Sequence, residues 1–584
     1  MPRTRLRAAF RLPGTILSVL LVVSRALFPS TPASCSGPRP GFALSSEPGG
    51  AFTLSLNRRG ISLTGAAPLP WRQTGAGAAP ASPAPEASRM KKKWGRAALE
   101  FGALFSYAAI NYWRKYALFI EDWQYELNCE DQYKRFFTTE ALKFDSNSFY
   151  LNWSHSLSGA VYYQFARTNY LSWLESWIFA ATGSLLWEYG VEWREVVSVN
   201  DNVFTGLGSY AIGESWFQTA RYLAAQPQLA LRILSFMNPF LKINMWLDRK
   251  NPASKITVDP GRHEFAISVG ARRSSRAGTD HQDSLYLGIH TEIGGLPGSG
   301  RPGAFRRTVH DFFSSELSLD MAVGGDRDVD EALGLGWAED DLAAGGWADE
   351  INFWAGAVNW ALYRQNLDEL SRGTTFSLGL GSAFMYFRKT PALRIDTGEY
   401  RVRTGEDLQL DKPRFFRDKI SVVHVAGPVM EWRRFGRETT FRLKVEAYAD
   451  FALVNALALN THSESHDISG MKTTLLHYGY YYAMGASLKG RGEFTWRSLR
   501  FRSLVWQQAW DSVEGLDRFE ADLTDNSDVN DSRTRILFGI EWKPARLPLG
   551  LFITGENIRR RGKIGETEVR SLEKRLYAGL NFFF

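Results

Sequence analysis

Two periods divide the chain. Between Trp94 and Lys250 apolar residues run in short-linked, nearly continuous stretches, which predicts a first helix at Trp94–Ile120 and further helices at Ser154–Ala166, Trp173–Trp193, Val203–Ala225 and Leu229–Phe236. Gly159, Gly183, Gly206, Gly208 and Gly213 notch these stretches, and such small residues let helices approach closely. Asn238-Pro239 ends the run, because proline donates no helical hydrogen bond and biases its predecessor away from helix. From about Ile256 the period drops to two. Leu285, Leu287, Ile289, Thr291 and Ile293 alternate with Tyr286, Gly288, His290 and Glu292. Phe441, Leu443, Val445, Ala447, Ala449 and Phe451 alternate with Arg442, Lys444, Glu446, Tyr448 and Asp450.

A strand with one wholly apolar face and one highly charged face has no place between two dry layers. It fits a barrel wall with lipid outside and water within. Phe376–Arg388, Tyr478–Leu488, Leu499–Trp510, Thr534–Trp542 and Leu549–Gly555 repeat the pattern, giving about twelve strands of about ten residues each, enough to cross a bilayer at a tilt. Polar insertions at Pro391–Arg417, Asn460–Lys472 and Glu514–Arg533 read as long loops on one, extracellular, rim. Gly298-Ser299-Gly300-Arg301-Pro302-Gly303 has the letters of a dinucleotide motif but opens no helix, so it reads as a turn. The fold class is therefore α+β: a helical domain over 94–250, then an antiparallel transmembrane β-barrel over 256–584.

The ends agree with that architecture. Arg3, Arg5, Arg7 and Arg11 precede the apolar run Ile16–Val23 and a group of small residues, the layout of a secretory signal over 1–34. Residues 35–93, rich in Pro, Ala, Gly and Ser, read as a disordered linker; Met90-Lys91-Lys92-Lys93 leaves open a start codon at Met90. At the other end Leu576, Ala578, Leu580, Phe582 and Phe584 share one face of a last strand with a terminal aromatic. This resembles the signal by which bacterial outer-membrane barrels are recognised for insertion, and it implies the barrel-assembly machinery and outer-membrane lipids as partners.

Composition sharpens the picture. Aromatics make up 14% of the chain, with 20 Trp, yet the mean hydropathy is -0.25, which suits alternating faces and excludes a chain built mostly of transmembrane helices. The net charge of +7 is spread among acids, so nucleic acid is not a partner. Cys35 and Cys129 offer neither a disulfide framework nor metal spacing. No G-x-S-x-G, H-E-x-x-H or Walker loop occurs, which removes the motif-based routes to a hydrolase or NTPase.

The chemistry that remains lies between Asn152 and Glu214. His155, Arg167, Glu188, Glu192, Asp201 and Glu214 stand in otherwise aromatic and aliphatic segments, where an unpaired charge costs several kcal/mol or shifts its pKa. Glu188 and Glu192, four apart on one helix, repel unless a cation or divalent metal lies between them, and His155 is placed to supply the nitrogen ligand or the acid–base partner. The candidate catalytic set is His155, Glu188, Glu192, Asp201 and Glu214; the candidate metal set is His155, Glu188 and Glu192. A bland alternative has Asp201 capping a helix, Glu192 exposed beside Arg194 and Arg167 paired with Glu188.

These residues resemble a bacterial envelope family of unknown function, domain family 3943. Its pattern is matched by His155, Gly159, Tyr162 or Tyr163, Ala166-Arg167, Gly183-Ser184, Trp187-Glu188, Glu192, Ser198-Val199-Asn200-Asp201 and Gly213-Glu214, while Ser156 stands where the family usually has Pro. The spacing is also similar to small helical envelope proteins of the VanZ-like kind. The resemblance implies an envelope location and no established activity. Two functions are expected from different classes: a periplasmic or membrane-apposed helical domain that caps the barrel and binds envelope lipid or an envelope protein partner, or a metal-assisted or acid–base enzyme acting on envelope lipid or glycan.

Overall fold

The computed structural model describes residues 91–115, 123–249, 263–276, 281–296, 298–324, 349–389, 418–466, 468, 470–513, 528–544 and 547–584. The expected signal and most of the expected linker lie outside the described residues, as do the loop at Pro391–Arg417 and most of that at Glu514–Arg533.

Alternation builds the barrel as expected. Its strands are β1 His263–Arg276, β2 Gln282–Gly294, β3 Ser314–Val323, β4 Glu350–Leu367, β5 Gly373–Lys389, β6 Asp418–Phe435, β7 Thr439–Asn455, β8 Tyr480–Trp496, β9 Leu499–Ser512, β10 Val529–Trp542, β11 Leu549–Ile564 and β12 Thr567–Phe583. Each pairs antiparallel with its neighbours, and β12 returns to β1 from Glu573↔Arg276 to Phe583↔Ala266, which closes twelve strands. A short extra strand, Gly303–Val309, continues the line of β3 along the far end of β4. The expected turn is there, with Gly298, Gly300 and Gly303 all at positive φ.

Most strands are longer than expected from the apolar pattern. On β11, Leu549, Leu551 and Ile553 lie on the same face as Asn557, Arg559, Arg561 and Lys563, so the ladder runs on beyond the apolar band. Backbone hydrogen bonding, not lipid, sets strand length there.

Ion pairs across the lumen identify the inward face. Glu316 on β3 accepts from Arg491 on β8 at 2.6 Å, Glu292 on β2 from Arg442 on β7 at 2.7 Å, and Glu350 on β4 from Arg575 on β12 at 2.7 Å. Lys389 pairs with Glu573, and Trp354 meets Trp506 edge-on at 5.1 Å. The interior is crossed by its own side chains. The opposite face carries Val505, Phe538, Leu551 and Leu576, all about half exposed, an apolar outer band of the kind a transmembrane barrel turns to lipid.

The helical region contains α1 Trp94–Lys115, α2 Cys129–Phe137, α3 Phe149–Arg167, α4 Trp173–Leu186, α5 Val199–Asn202, α6 Gly208–Ala225, α7 Leu229–Leu234 and α8 Pro239–Asp248. π turns occupy Trp187–Val191, after α4, and Val203–Leu207, between α5 and α6. Among the described residues no helix is long and apolar enough to cross a membrane by itself.

These helices meet the barrel from outside. Cross-strand pairing links Phe265, Thr291, Leu317, Ala355, Phe384 and Val423, and then Phe451, in one row of outward positions running from β1 to β7. That row has the parity opposite to the lumen, yet Ala355, Phe384 and Val423 are 0% exposed. Phe204 packs edge-on to Phe451, Trp153 lies on Tyr386 at 4.1 Å, and Phe144 stacks on Tyr482 at 4.6 Å. Hydrogen bonds pin the contact: Tyr210 Oη to Asn359 Oδ1 at 2.6 Å, Ser215 Oγ to Gly356 O at 2.9 Å, and Thr219 Oγ1 with Thr291 Oγ1 at 3.1 Å. Each is worth about 1 kcal/mol net, and together they fix the register of α6 on the wall.

Candidate functional site

The two π turns flank the candidate residues. In the first, Glu192 N donates to Trp187 O at 3.1 Å, a wider turn that takes Glu192 off the simple i, i+4 face expected for it. π bulges recur at functional sites because they re-aim side chains. Glu188 is buried and accepts from Ser198 N at 2.8 Å; Glu192 is partly buried and accepts from Trp187 Nε1 at 2.6 Å.

Ser198, not Asp201, caps α5: its hydroxyl accepts from Asp201 N at 3.2 Å. That frees the Asp201 carboxylate, whose Oδ2 lies 3.3 Å from His155 Nε2. Asn200 holds the group together, donating to Asp201 Oδ1 and Asn152 Oδ1 at 2.9 Å each and accepting from Asp145 N at 2.8 Å. Asn152 in turn donates to Tyr480 Oη at 2.6 Å and Tyr482 Oη at 2.8 Å, so the network ends on the barrel wall.

Ser156, in place of the family's proline, continues α3 and donates to Phe204 O at 3.0 Å. Gly208 makes room for it, since a Cβ there would stand 2.4 Å from Ser156 Oγ.

Burial and crowding set the protonation. Burial pushes Glu188 and Asp201 well above the usual carboxylate range, with Asp145 the next cause in both, and it pushes up Glu192, with Glu188 next. Asp201 also shares a side-chain hydrogen bond with Asp145. Burial brings His155 down to about 4, so its imidazole is neutral at pH 7. Arg135, 1% exposed, spends its donors on the carbonyls of Glu188, Glu192 and Glu195 at 2.6, 2.9 and 2.9 Å and not on the carboxylates. Among the described residues, His155 Nδ1, Tyr162 Oη and Arg135 Nη1 are buried without a hydrogen-bond partner, as are Trp153 Nε1 and Arg194 Nε close by in the chain.

The sequence grouped Glu214 with these residues; the structure separates it. Glu214 accepts from Arg167 Nε at 2.9 Å, Arg167 Nη2 at 3.1 Å, Tyr163 Oη at 2.6 Å and Gln218 Nε2 at 2.7 Å. Burial, the largest single effect, opposes its ionisation, but the Arg167 guanidinium together with the hydrogen bonds from Tyr163 and Gln218 holds the carboxyl below its usual range. Arg167 thus pairs with Glu214 instead of Glu188, because α3 and α6 cross there with Gly213 at the contact, where a Cβ would stand 2.6 Å from the Tyr163 ring. Arg194 pairs with Glu126, not with an exposed Glu192.

The candidate metal set fares differently from the acid–base set. Among the described residues no three His, Cys, Asp or Glu side chains stand together as metal ligands, and His155, Glu188 and Glu192 do not form such a group. Asp145, Asn152, Arg135 and Glu195 were missed as site residues. Asp145 lies outside any periodic stretch, and the partners of Asn152 lie 328 and 330 residues away, so neither left a local signal.

Residues 141–240 match the family model described as domain of unknown function (DUF3943), a span that takes in His155, Glu188, Glu192, Asp201 and Glu214 but not Arg135 or the barrel tyrosines. No curated protein matches the chain. Among solved structures, the loop L8 deletion mutant of OmpT, an outer membrane protein of Vibrio cholerae, is similar at 8% identity over 56% of this chain and 100% of that chain, with a TM-score of 0.20. A Pseudomonas aeruginosa FadL homologue is similar at 9% identity, covering 56% of this chain and 90% of its own, with a TM-score of 0.20. The beta domain of the Bordetella autotransporter Brka is similar at 10%, covering 55% and 100%, with a TM-score of 0.23.

Proposed function

We propose that the protein is a barrel-anchored acid–base enzyme of the outer membrane, acting on an envelope lipid or lipid-linked glycan at the barrel wall. One observation carries this reading: a neutral imidazole whose Nε2 lies 3.3 Å from Asp201 and whose buried Nδ1 has no partner. Buried polar atoms are almost always satisfied, so an unpartnered nitrogen on a ring that Asp201 holds from its other side is a position for a reacting group. In the proposed division of roles, Asp201 orients the His155 ring from its Nε2 side, and Nδ1 is the atom that exchanges a proton with the reacting group. Burial pushes the Glu188 and Glu192 carboxyls up in the same domain, which makes them the candidate proton donors. Glu214 is outside the site and serves the fold.

The test is the lipid and glycan profile of the envelope, read by mass spectrometry from cells making the wild type, His155→Gln or Asp201→Asn, with folding checked by migration before boiling. Loss of a wild-type-dependent species in both folded variants is the expected result. An unchanged profile in both sinks the enzymatic reading.

A second reading is favoured by the bonds from Asn152 to Tyr480 and Tyr482. Here the same network is a clasp that fixes a non-enzymatic domain, binding envelope lipid or a protein partner, to its barrel. It predicts that the variants lower thermal stability and leave every lipid species in place.

A further inference from the structure

The outer surface of the helical region has the wrong chemistry for water. Leu99, Tyr107 and Ile110 form an exposed stripe on α1, and Leu99 is 73% exposed. Leu174, Ile178 and Leu185 form another on α4, at a spacing that keeps them on one face. On α8, Trp246 is 77% exposed. A helix in water turns its apolar stripe to the core and its charges outward; one that is apolar on both sides belongs inside a larger core or in lipid.

The polar residues in the first two turns of α1 point the other way. Arg96 donates to Asp248 Oδ1 at 2.7 Å and Glu100 accepts from Asn169 at 2.8 Å, both on the side facing the other helices. This inward placement is why α1 fails as a spanning helix by average hydropathy and still has an apolar outer stripe. Its 22 residues extend about 33 Å, close to the thickness of a hydrocarbon core.

Position decides the occupant. The helices cover outward residues of the barrel that elsewhere on the circumference are its lipid-facing band. Their own outer stripes continue that band sideways.

We infer that the helical domain lies within the hydrocarbon layer of the outer membrane, laid along the barrel wall, with acyl chains covering Leu99, Ile178 and their neighbours. The connections Asp368–Arg372, Gly436–Glu438 and Arg497–Ser498 share a rim with Phe584, and the longest connection, residues 390–417, stands on the other rim beside the two-residue turn Gly565-Glu566; with the Phe584 rim as the periplasmic one, Tyr480 and Tyr482, at the other end of β8, put the His155 network toward the outer leaflet. The lipids within its reach are therefore outer-leaflet lipids. This placement does not depend on whether His155 does chemistry.

The test uses the full chain in vesicles whose phospholipids carry brominated acyl chains. In a Cys35→Ser, Cys129→Ser background, Leu99→Cys and Ile178→Cys receive a fluorophore, with Leu551→Cys on the bare barrel wall and Glu130→Cys, at a charged and exposed position, as controls. The expected result is bromine quenching at 99 and 178 as strong as at 551, with protection from a membrane-impermeant thiol reagent that reacts freely at 130. Free reaction at 99 and 178 without quenching places the domain in water and overturns the inference. Protection without quenching assigns the face to a second copy of the chain and overturns it as well. All four substitutions are at exposed positions, and faster migration before boiling than after checks that each labelled protein is folded before it is read.

Discussion

Arg167→Met tests whether Glu214 belongs to the fold or to the site. The substitution keeps much of the stem that lies against Phe217, where the guanidinium carbon sits 4.8 Å from the ring centre, and removes the donors at 2.9 and 3.1 Å from Glu214. What remains is a fully buried carboxylate with Tyr163 and Gln218 as its close donors. Breaking one side of a buried ion pair costs about 3–5 kcal/mol, because the surviving charge keeps its desolvation penalty without its partner. Arg167→Met/Glu214→Gln removes both charges and recovers part of that loss, so the double-mutant cycle gives a coupling of about 2 kcal/mol or more. Urea unfolding in vesicles, followed by loss of the fast-migrating unboiled band, measures all four proteins. The pH dependence adds a second check. In the wild type the lowered carboxyl contributes stability that is present above its unfolded value near 4.5 and is lost as pH falls through the lower folded value. In Arg167→Met the buried carboxyl is pushed up instead, so stability is present below 4.5 and lost as pH rises. A single variant within about 1 kcal/mol of wild type, or a cycle additive within about 0.5 kcal/mol, refutes the assignment of Glu214 to the fold.

Three further outcomes follow from the same coordinates. Gly159→Ala costs about 1–3 kcal/mol in the same unfolding assay, since its Cβ would stand 2.0 Å from Thr205 O, whereas Gly206→Ala, meeting only Ala181 at 3.8 Å, stays near wild type. His155, neutral in the fold with its pKa at about 4 against 6.5 unfolded, contributes stability that is present above pH 6.5 and lost as pH falls toward 4, up to about 3 kcal/mol; a stability–pH series on His155→Gln lacks that loss. In planar bilayers the wild type conducts weakly because ion pairs cross its lumen, and Glu316→Ala with Glu292→Ala, which cut the cross-lumen pairs and leave Arg491 on Glu446 and Arg442 on Glu431, adds conductance steps with altered ion selectivity; unchanged currents count against a side-chain-filled lumen.

The barrel was legible because its period holds over long runs of each strand and slips only locally, as at the bulges between Val358 and Trp360 on β4 and between His424 and Ala426 on β6. Arg442, Lys444 and Glu446 do face the lumen, and Phe441 and Leu443 do face out. The docking of the helices was not legible, since an outward Phe reads the same whether lipid or a helix covers it: Phe441 is 36% exposed and Phe451, ten residues on, is 5%. In the candidate site, His155, Glu188, Glu192 and Asp201 were visible as polar residues in apolar helices. Their sorting from Glu214 was not, because the helix crossing that gives Glu214 to Arg167 joins residues 47 apart. Helix-period reasoning also had no means of placing Glu192, whose position depends on a π turn.

The covered row from Phe265 to Phe451 also bears on the order of assembly. The helices precede every strand in the chain, but the surface they bind exists only when seven strands stand in register, and Tyr222 reaches the carbonyl of Phe584 across 362 residues. A joint of such high contact order forms late, because the closure entropy of the intervening chain is spent before its contacts form. The part of the protein made first is therefore seated last, and its docking reports that the first and last strands have met.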